Sequence, residues 1–140
     1  MSSALTIVEE YQKILKFLDE LMLLADKLAK LSRKIPSEEP KEPANELKSL
    51  EVSLREFSSM FGSYSSSAER QFTELLKKYP SLKQNKTHPI YILLEVKEIC
   101  TKISKLCITG KIYSYAGSVL SSIENLKKEI MNLSSRIEKL

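Results

Sequence analysis

Apolar residues recur along this chain at spacings of three and four, the rhythm of a helix and not the strict alternation of a strand. From Ile7 the series Tyr11, Ile14, Leu18, Leu21, Ala25, Leu28 and Ile35 keeps a 4-3-4-3 spacing that only Ser32 interrupts. That seam predicts one long helix over residues 4–35. Val8, Leu15, Met22 and Ala29 add a second stripe beside it. The apolar face is therefore wider than a two-stranded coil uses, and suits the interior of a bundle. Thr6 and Glu9 have the form of a capping box near the helix start.

Residues 36–43, PSEEPKEP, hold three prolines and no apolar anchor, and read as an extended, solvated linker. Pro43 fits the first turn of the helix that follows. Within 44–79, Leu47, Leu50, Leu54, Phe57 and Phe61 continue the heptad spacing, and Phe72, Leu75, Leu76 and Tyr79 form a further stripe. Between them the stretch from Gly62 to Ser67, rich in serine, is a poor helix former. The expectation is a break or kink at 62–66, with Ser66 and Glu69 as a fresh capping box. Helices 44–61 and 67–79 would result. One kinked helix is the alternative, because the apolar phase does not clearly change.

Residues 80–88 form the second linker. Pro89 suits the first position of a helix capped by His88 or Thr87. That helix, 89–108, carries Leu93, Val96, Cys100, Ile103 and Cys107 on one stripe. The next stripe is Ile112, Ala116, Val119, Ile123, Leu126, Ile130, Leu133, Ile137 and Leu140. Extended backward it meets Thr109, Lys105 and Lys102, which are polar, so the seam restarts after Gly110. Residues 111–140 are then a long final helix. The prediction is an all-α fold: an antiparallel helical bundle of four or five helices, with long first and last helices. It forms a single domain over 1–140, with linkers at 36–43 and 80–88.

Composition agrees with this picture. The 140 residues are 42% apolar and 29% charged, which suits a globular chain whose core needs neither disulfide nor metal. Only three glycines occur, and the Asn-Gly type pairs that make tight hairpins are missing. Glu9, Glu10 and Lys13 interrupt the first apolar stretch, which argues against a signal peptide. Apolar runs such as Leu21 to Ala25 fall far short of the roughly 18 residues of a membrane span. A cytoplasmic location is expected. Asn and Gln are scarce while Lys and Glu are abundant, a balance common in thermophile proteins. Cys100 and Cys107, seven apart on one helix, sit about 10 Å apart along its axis, too far to pair within it. They read as small buried hydrophobes.

The motifs that carry chemistry are missing. Thr109-Gly-Lys111 resembles the end of a phosphate-binding loop, but Lys105 stands where that loop needs a glycine and Ile112 where it needs Ser or Thr. His88 is the only histidine and has no evident acid–base partner. It also lacks the Arg, four to six residues upstream, of HEPN-type helical ribonucleases. No Glu-x-x-His pair supplies a bundle metal site. The expectation is a protein without enzymatic activity, cofactor, metal or small-molecule substrate.

Charge is the feature that leans toward function. Residues 1–69 carry 9 basic and 12 acidic side chains, a net of −3, and residues 70–140 carry 13 and 6, a net of +7. Lys77, Lys78, Lys83, Lys86, Lys102 and Lys105 are the candidate nucleic-acid contacts, with Tyr79, Tyr91, Tyr113 and Tyr115 interspersed as stacking platforms. The leading reading is a non-enzymatic subunit of a larger assembly. It would bind protein partners through apolar helix faces, and RNA or DNA through its basic second half. In size and charge style the chain resembles small all-helical subunits of RNA-guided effector complexes, a likeness that implies the same role. The alternative is a self-associating coiled-coil structural or viral assembly protein without nucleic-acid binding.

Overall fold

The seam that begins at Ile7 forms α1 (Ser3–Ser32), and the seam that ends at Ile137 forms α4 (Ile112–Glu138). Between them run α2 (Asn45–Lys78) and α3 (Ile92–Ile108). The computed structural model describes residues 3–35, 45–108 and 112–140, with side chains over 7–35, 48–108 and 117–140. The fold is all-α, with four helices and no strand among the described residues. Linker 36–43, Gly110 and Lys111 lie outside them, as do the side chains of Tyr113 and Tyr115.

Side-chain pairs fix the helix directions. Glu10 meets Lys78 and Phe17 meets Tyr64, so numbers rise along α1 as they fall along α2. Ser58 meets Ser104 and Ser65 meets Lys97, so α2 and α3 are also antiparallel. Arg136 reaches Thr87, which returns the end of α4 to the start of α3. Around the bundle α2 packs on α3, α3 on α4 and α4 on α1, while α1 and α2 approach each other least.

The two heptad seams supply much of the core. Ile14, Leu18, Leu21, Ala25 and Leu28 of α1 are buried, as are Val119, Ile123, Leu126, Ile130, Leu133 and Ile137 of α4. Each buried Leu or Ile contributes roughly 1.5–3 kcal/mol of hydrophobic stabilisation. The second stripe is less complete: Ala29 is buried, Leu15 and Met22 are half-buried, and Val8 is 47% exposed. Ser32 stays in the core, and its Oγ has no hydrogen-bond partner among the described residues.

Three local expectations need correction. The helix starts at Ser3, so Thr6 lies inside α1 and does not cap it. No break occurs at 62–66; α2 is one helix, so Ser66 and Glu69 cap nothing. Of the serines in that stretch Ser65 faces α3, as does Ser58 seven residues before it. The Oγ of Ser58 donates to the Ser104 carbonyl at 2.9 Å, and the Oγ of Ser104 donates back to the Ser58 carbonyl at 2.7 Å. Ser65 donates to the Lys97 carbonyl at 3.1 Å and lies 2.7 Å from the Thr101 hydroxyl. Close packing on α3 outweighs the low helix propensity of these residues.

The third correction concerns the second linker, residues 80–88, which is folded into turns. Pro80–Gln84 is a 3-10 turn, and Pro89–Tyr91 is another that leads into α3. Backbone bonds run at every third residue: Leu82 to Tyr79, Asn85 to Leu82, His88 to Asn85 and Tyr91 to His88, at 3.0–3.2 Å. Leu82 is buried, and its carbonyl accepts from the Tyr91 hydroxyl at 2.8 Å. One apolar side chain is enough to anchor this polar segment to the core.

Candidate nucleic-acid interface

The six lysines singled out from the sequence do not form one patch. Lys77 and Lys78 lie in the last turn of α2, where cations complement the helix dipole. Lys83 lies in the first 3-10 turn and Lys86 in the turn that follows. These four belong to one corner of the bundle. Lys102 and Lys105 are exposed on α3, 10 and 13 residues beyond Ile92, or about 15 and 20 Å further along the axis.

Within the corner the lysines are not equivalent. Lys78 is engaged: its Nζ donates to Glu10 Oε1 at 2.9 Å, which ties α1 to α2 and raises the pKa of the ammonium. Lys77, Lys83 and Lys86 are exposed and have no ion-pair partner among the described residues. Lys97, part of the same basic excess, lies 3.7 Å from both Glu69 and Glu98, so its charge is locally balanced.

Arg136, which sequence reasoning passed over, belongs to this corner. It sits in the last turn of α4, and its Nη2 donates to the Thr87 carbonyl at 3.2 Å. An open recess of about 470 Å³ lies there, lined by Lys86, Thr87, His88, Tyr91, Ile92, Glu95 and Arg136. The signal that could have found Arg136 is topological: in an antiparallel four-helix bundle the last helix must end beside the second connection.

His88 is the pivot of the corner. As the cap of the second 3-10 turn, its Nδ1 accepts from the Ile90 backbone N–H at 3.2 Å. The proton therefore sits on Nε2, which faces the Tyr11 hydroxyl at 3.3 Å. The two rings stack with centroids 6.2 Å apart. Burial, and then the neighbouring Arg136, hold the His88 pKa below the ordinary 6.5. Burial raises that of Tyr11, helped by Tyr79.

No protein-family model, curated protein or solved structure matches this chain.

The tyrosines expected to stack on bases serve the fold where they are described. The Tyr91 hydroxyl is taken by Leu82, and its ring meets Phe72 edge-on with centroids 5.1 Å apart. Tyr79 is half-buried against the core. A second recess between α1 and α2 is lined by Lys13, Lys16 and Lys78 but also by Glu10, Glu20 and Glu74, a balance that gives an anion no net attraction. Both cysteines are free and buried, and burial pushes the thiols up to about 12 for Cys100 and about 11 for Cys107. A neutral, enclosed thiol is a poor nucleophile. Among the described residues no group of three or more His, Cys, Asp and Glu could hold a metal, and no helix is long and apolar enough to cross a membrane. What the corner offers chemically is exposed positive charge on a hydrogen-bonded turn.

Proposed function

We propose that this protein is a non-enzymatic helical-bundle subunit that binds nucleic acid through the corner formed by Lys77, Lys83, Lys86 and Arg136. The observation that carries this reading is that Lys86 and Arg136 line one recess beside the second connection, at the end of the bundle where the exposed, unpaired Lys77 and Lys83 also lie. Lysine is a flexible point charge and favours phosphates over base edges, so binding is largely independent of sequence. Lys102 and Lys105 extend the surface along α3 without being part of the corner.

Partner proteins are left with little of the heptad seams, which are buried within the chain. The apolar side chains available to them include Leu23 at 62%, Met131 at 64% and Ile108 at 60% exposure. Single exposed apolar residues are normal on a folded surface, so the protein-binding part of the proposal rests on these scattered positions.

The test is a binding titration of single-stranded and duplex oligonucleotides across salt concentration. Affinity is expected to fall steeply with salt. Each cation reversed, in Lys77→Glu, Lys83→Glu, Lys86→Glu and Arg136→Glu, should remove roughly 0.7–0.9 from the logarithmic slope. Helicity by circular dichroism should be unchanged. Undiminished binding in the fourfold variant would place the interface elsewhere, and no binding by the unaltered protein at low salt would reject the reading.

A further inference from the structure

The recess beside His88 brings a titratable ring together with two fixed cations. Arg136 spends one nitrogen on the Thr87 carbonyl, which leaves the rest of its guanidinium fork free to meet a planar or tetrahedral anion. Lys86 lines the same recess from the turn. Glu95, in the first turn of α3, is the acidic group there, so the lining carries a net charge of +1 with His88 neutral and +2 with it protonated. The hydroxyl of Tyr11 from α1 faces the imidazole, and Tyr91 also lines the recess.

We propose that this recess seats a backbone phosphate of the bound nucleic acid and that His88 takes up a proton from solvent as it does so. The inference rests on the nucleic-acid reading above and adds a mechanism to it. In the free protein the imidazole is held neutral by its surroundings. Burial disfavours its charged form, its Nδ1 is occupied as an acceptor by Ile90 N–H, and Arg136 repels a second positive charge. A phosphate between Arg136 and the ring reverses the repulsion. It screens the guanidinium and offers an acceptor to the imidazolium, which exchanges its bond with Ile90 N–H for one to the anion. Binding and protonation then favour one another, and the coupling is reciprocal. Affinity rises as pH falls through the neutral range, tenfold for each unit by which bound phosphate raises the His88 pKa.

Having one histidine makes the test clean. Histidine is the side chain whose ordinary titration falls in this range, and its single ring signal can be followed by proton NMR. Oligonucleotide affinity is measured from pH 5.5 to 7.5 at constant ionic strength, for the native chain and for His88→Asn. Asparagine is an equally good cap acceptor for Ile90 N–H and does not titrate. The expected result is affinity that rises on acidification in the native chain and is flat in H88N. Parallel curves in the two proteins, or a flat native curve with binding intact, would overturn the inference and leave the nucleic-acid reading standing. A His88 signal whose pKa rises with inorganic phosphate, in a protein that binds no oligonucleotide, would support the recess and reject the nucleic-acid source. No oligonucleotide binding together with a His88 signal indifferent to phosphate would reject both.

Discussion

The α2–α3 contact and the heptad seams of α1 and α4 solve the same packing problem with opposite chemistry. The seams are mostly leucines and isoleucines at regular spacing, and the one serine among the α1 positions, Ser32, is buried with no partner for its hydroxyl among the described residues. The α2–α3 contact is studded with Ser58, Gly62, Ser65, Thr101 and Ser104. The two buried serines among them, Ser58 and Ser65, are hydrogen-bonded across the interface. Apolar seams supply stabilisation in proportion to buried area but tolerate a slide by one heptad, since the next residue is much the same. Reciprocal hydroxyl-to-carbonyl bonds add little net energy, about 0.5–1.5 kcal/mol each, but exist in a single register. The first kind of contact holds the bundle together, and the second sets where α2 stops against α3.

The largest effect expected is from truncating an apolar seam. Leu126→Ala should cost about 2–5 kcal/mol, read as a shift in the urea midpoint at unchanged slope. A loss below 1 kcal/mol would mean that α4 is not held by that seam. A sharper contrast comes from one substitution made on each side. Ser58→Ala should destabilise by about 0.5–1.5 kcal/mol, because it removes a donor that is in use. Ser32→Ala should stabilise by about 1 kcal/mol, because it removes a buried hydroxyl that is not. Equal signs for the two would erase the distinction between the contacts.

Gly62→Ala probes how tight the polar contact is. A Cβ there would lie 3.6 Å from Ser104 Oγ, an ordinary contact distance. The gain in helix propensity should therefore dominate and raise stability by about 0.5–1 kcal/mol. Thermal unfolding of G62A below that of the native chain would show that α2 and α3 have no room to spare. The smallest effect is expected from pH, since the titrating imidazole lies in neither contact. The folded-state pKa of His88 is lowered, so the unfolded chain binds more protons between that value and 6.5. His88 therefore contributes its full stabilisation above about pH 6.5 and loses it as pH falls toward the folded value. Urea midpoints at pH 7.5 and 5.5 should converge in His88→Asn.

Much of the fold is written in residue spacing. Every seam position of α1 from Ile14 to Leu28 that was placed inward is inward. The serine stretch misled because propensity is read locally, whereas Ser65 within it answers to a partner 32 residues away. Even so, Phe61, Ala68 and Leu75 keep a strict seven-residue spacing through it, and all three are buried. Residues 80–88 read as a linker because one leucine among polar neighbours carries no period, though Leu82 is buried there. Of the candidate interface, the lysines at the corner were legible from charge alone. Arg136 was not, because nothing local marks a residue that acts 49 positions away.

The sparse approach of α1 to α2 bears on the order in which the chain assembles. The α2–α3 hairpin closes over 32 residues at Ser65 and Lys97, and its connection folds through bonds three residues apart. Asp26 and Lys127, which pair α1 with α4, are 127 − 26 = 101 positions apart. Closing the longer loop costs about 1 kcal/mol more in chain entropy, and α1 meets α2 only sparsely, at pairs such as Glu10–Lys78 and Phe17–Tyr64. Helix α1 should therefore dock last, onto a hairpin already joined by α4. In pulse-labelled hydrogen exchange during refolding, amides of α2 and α3 should gain protection before those of α1. Simultaneous protection of all four helices would show that the long closure does not limit the rate.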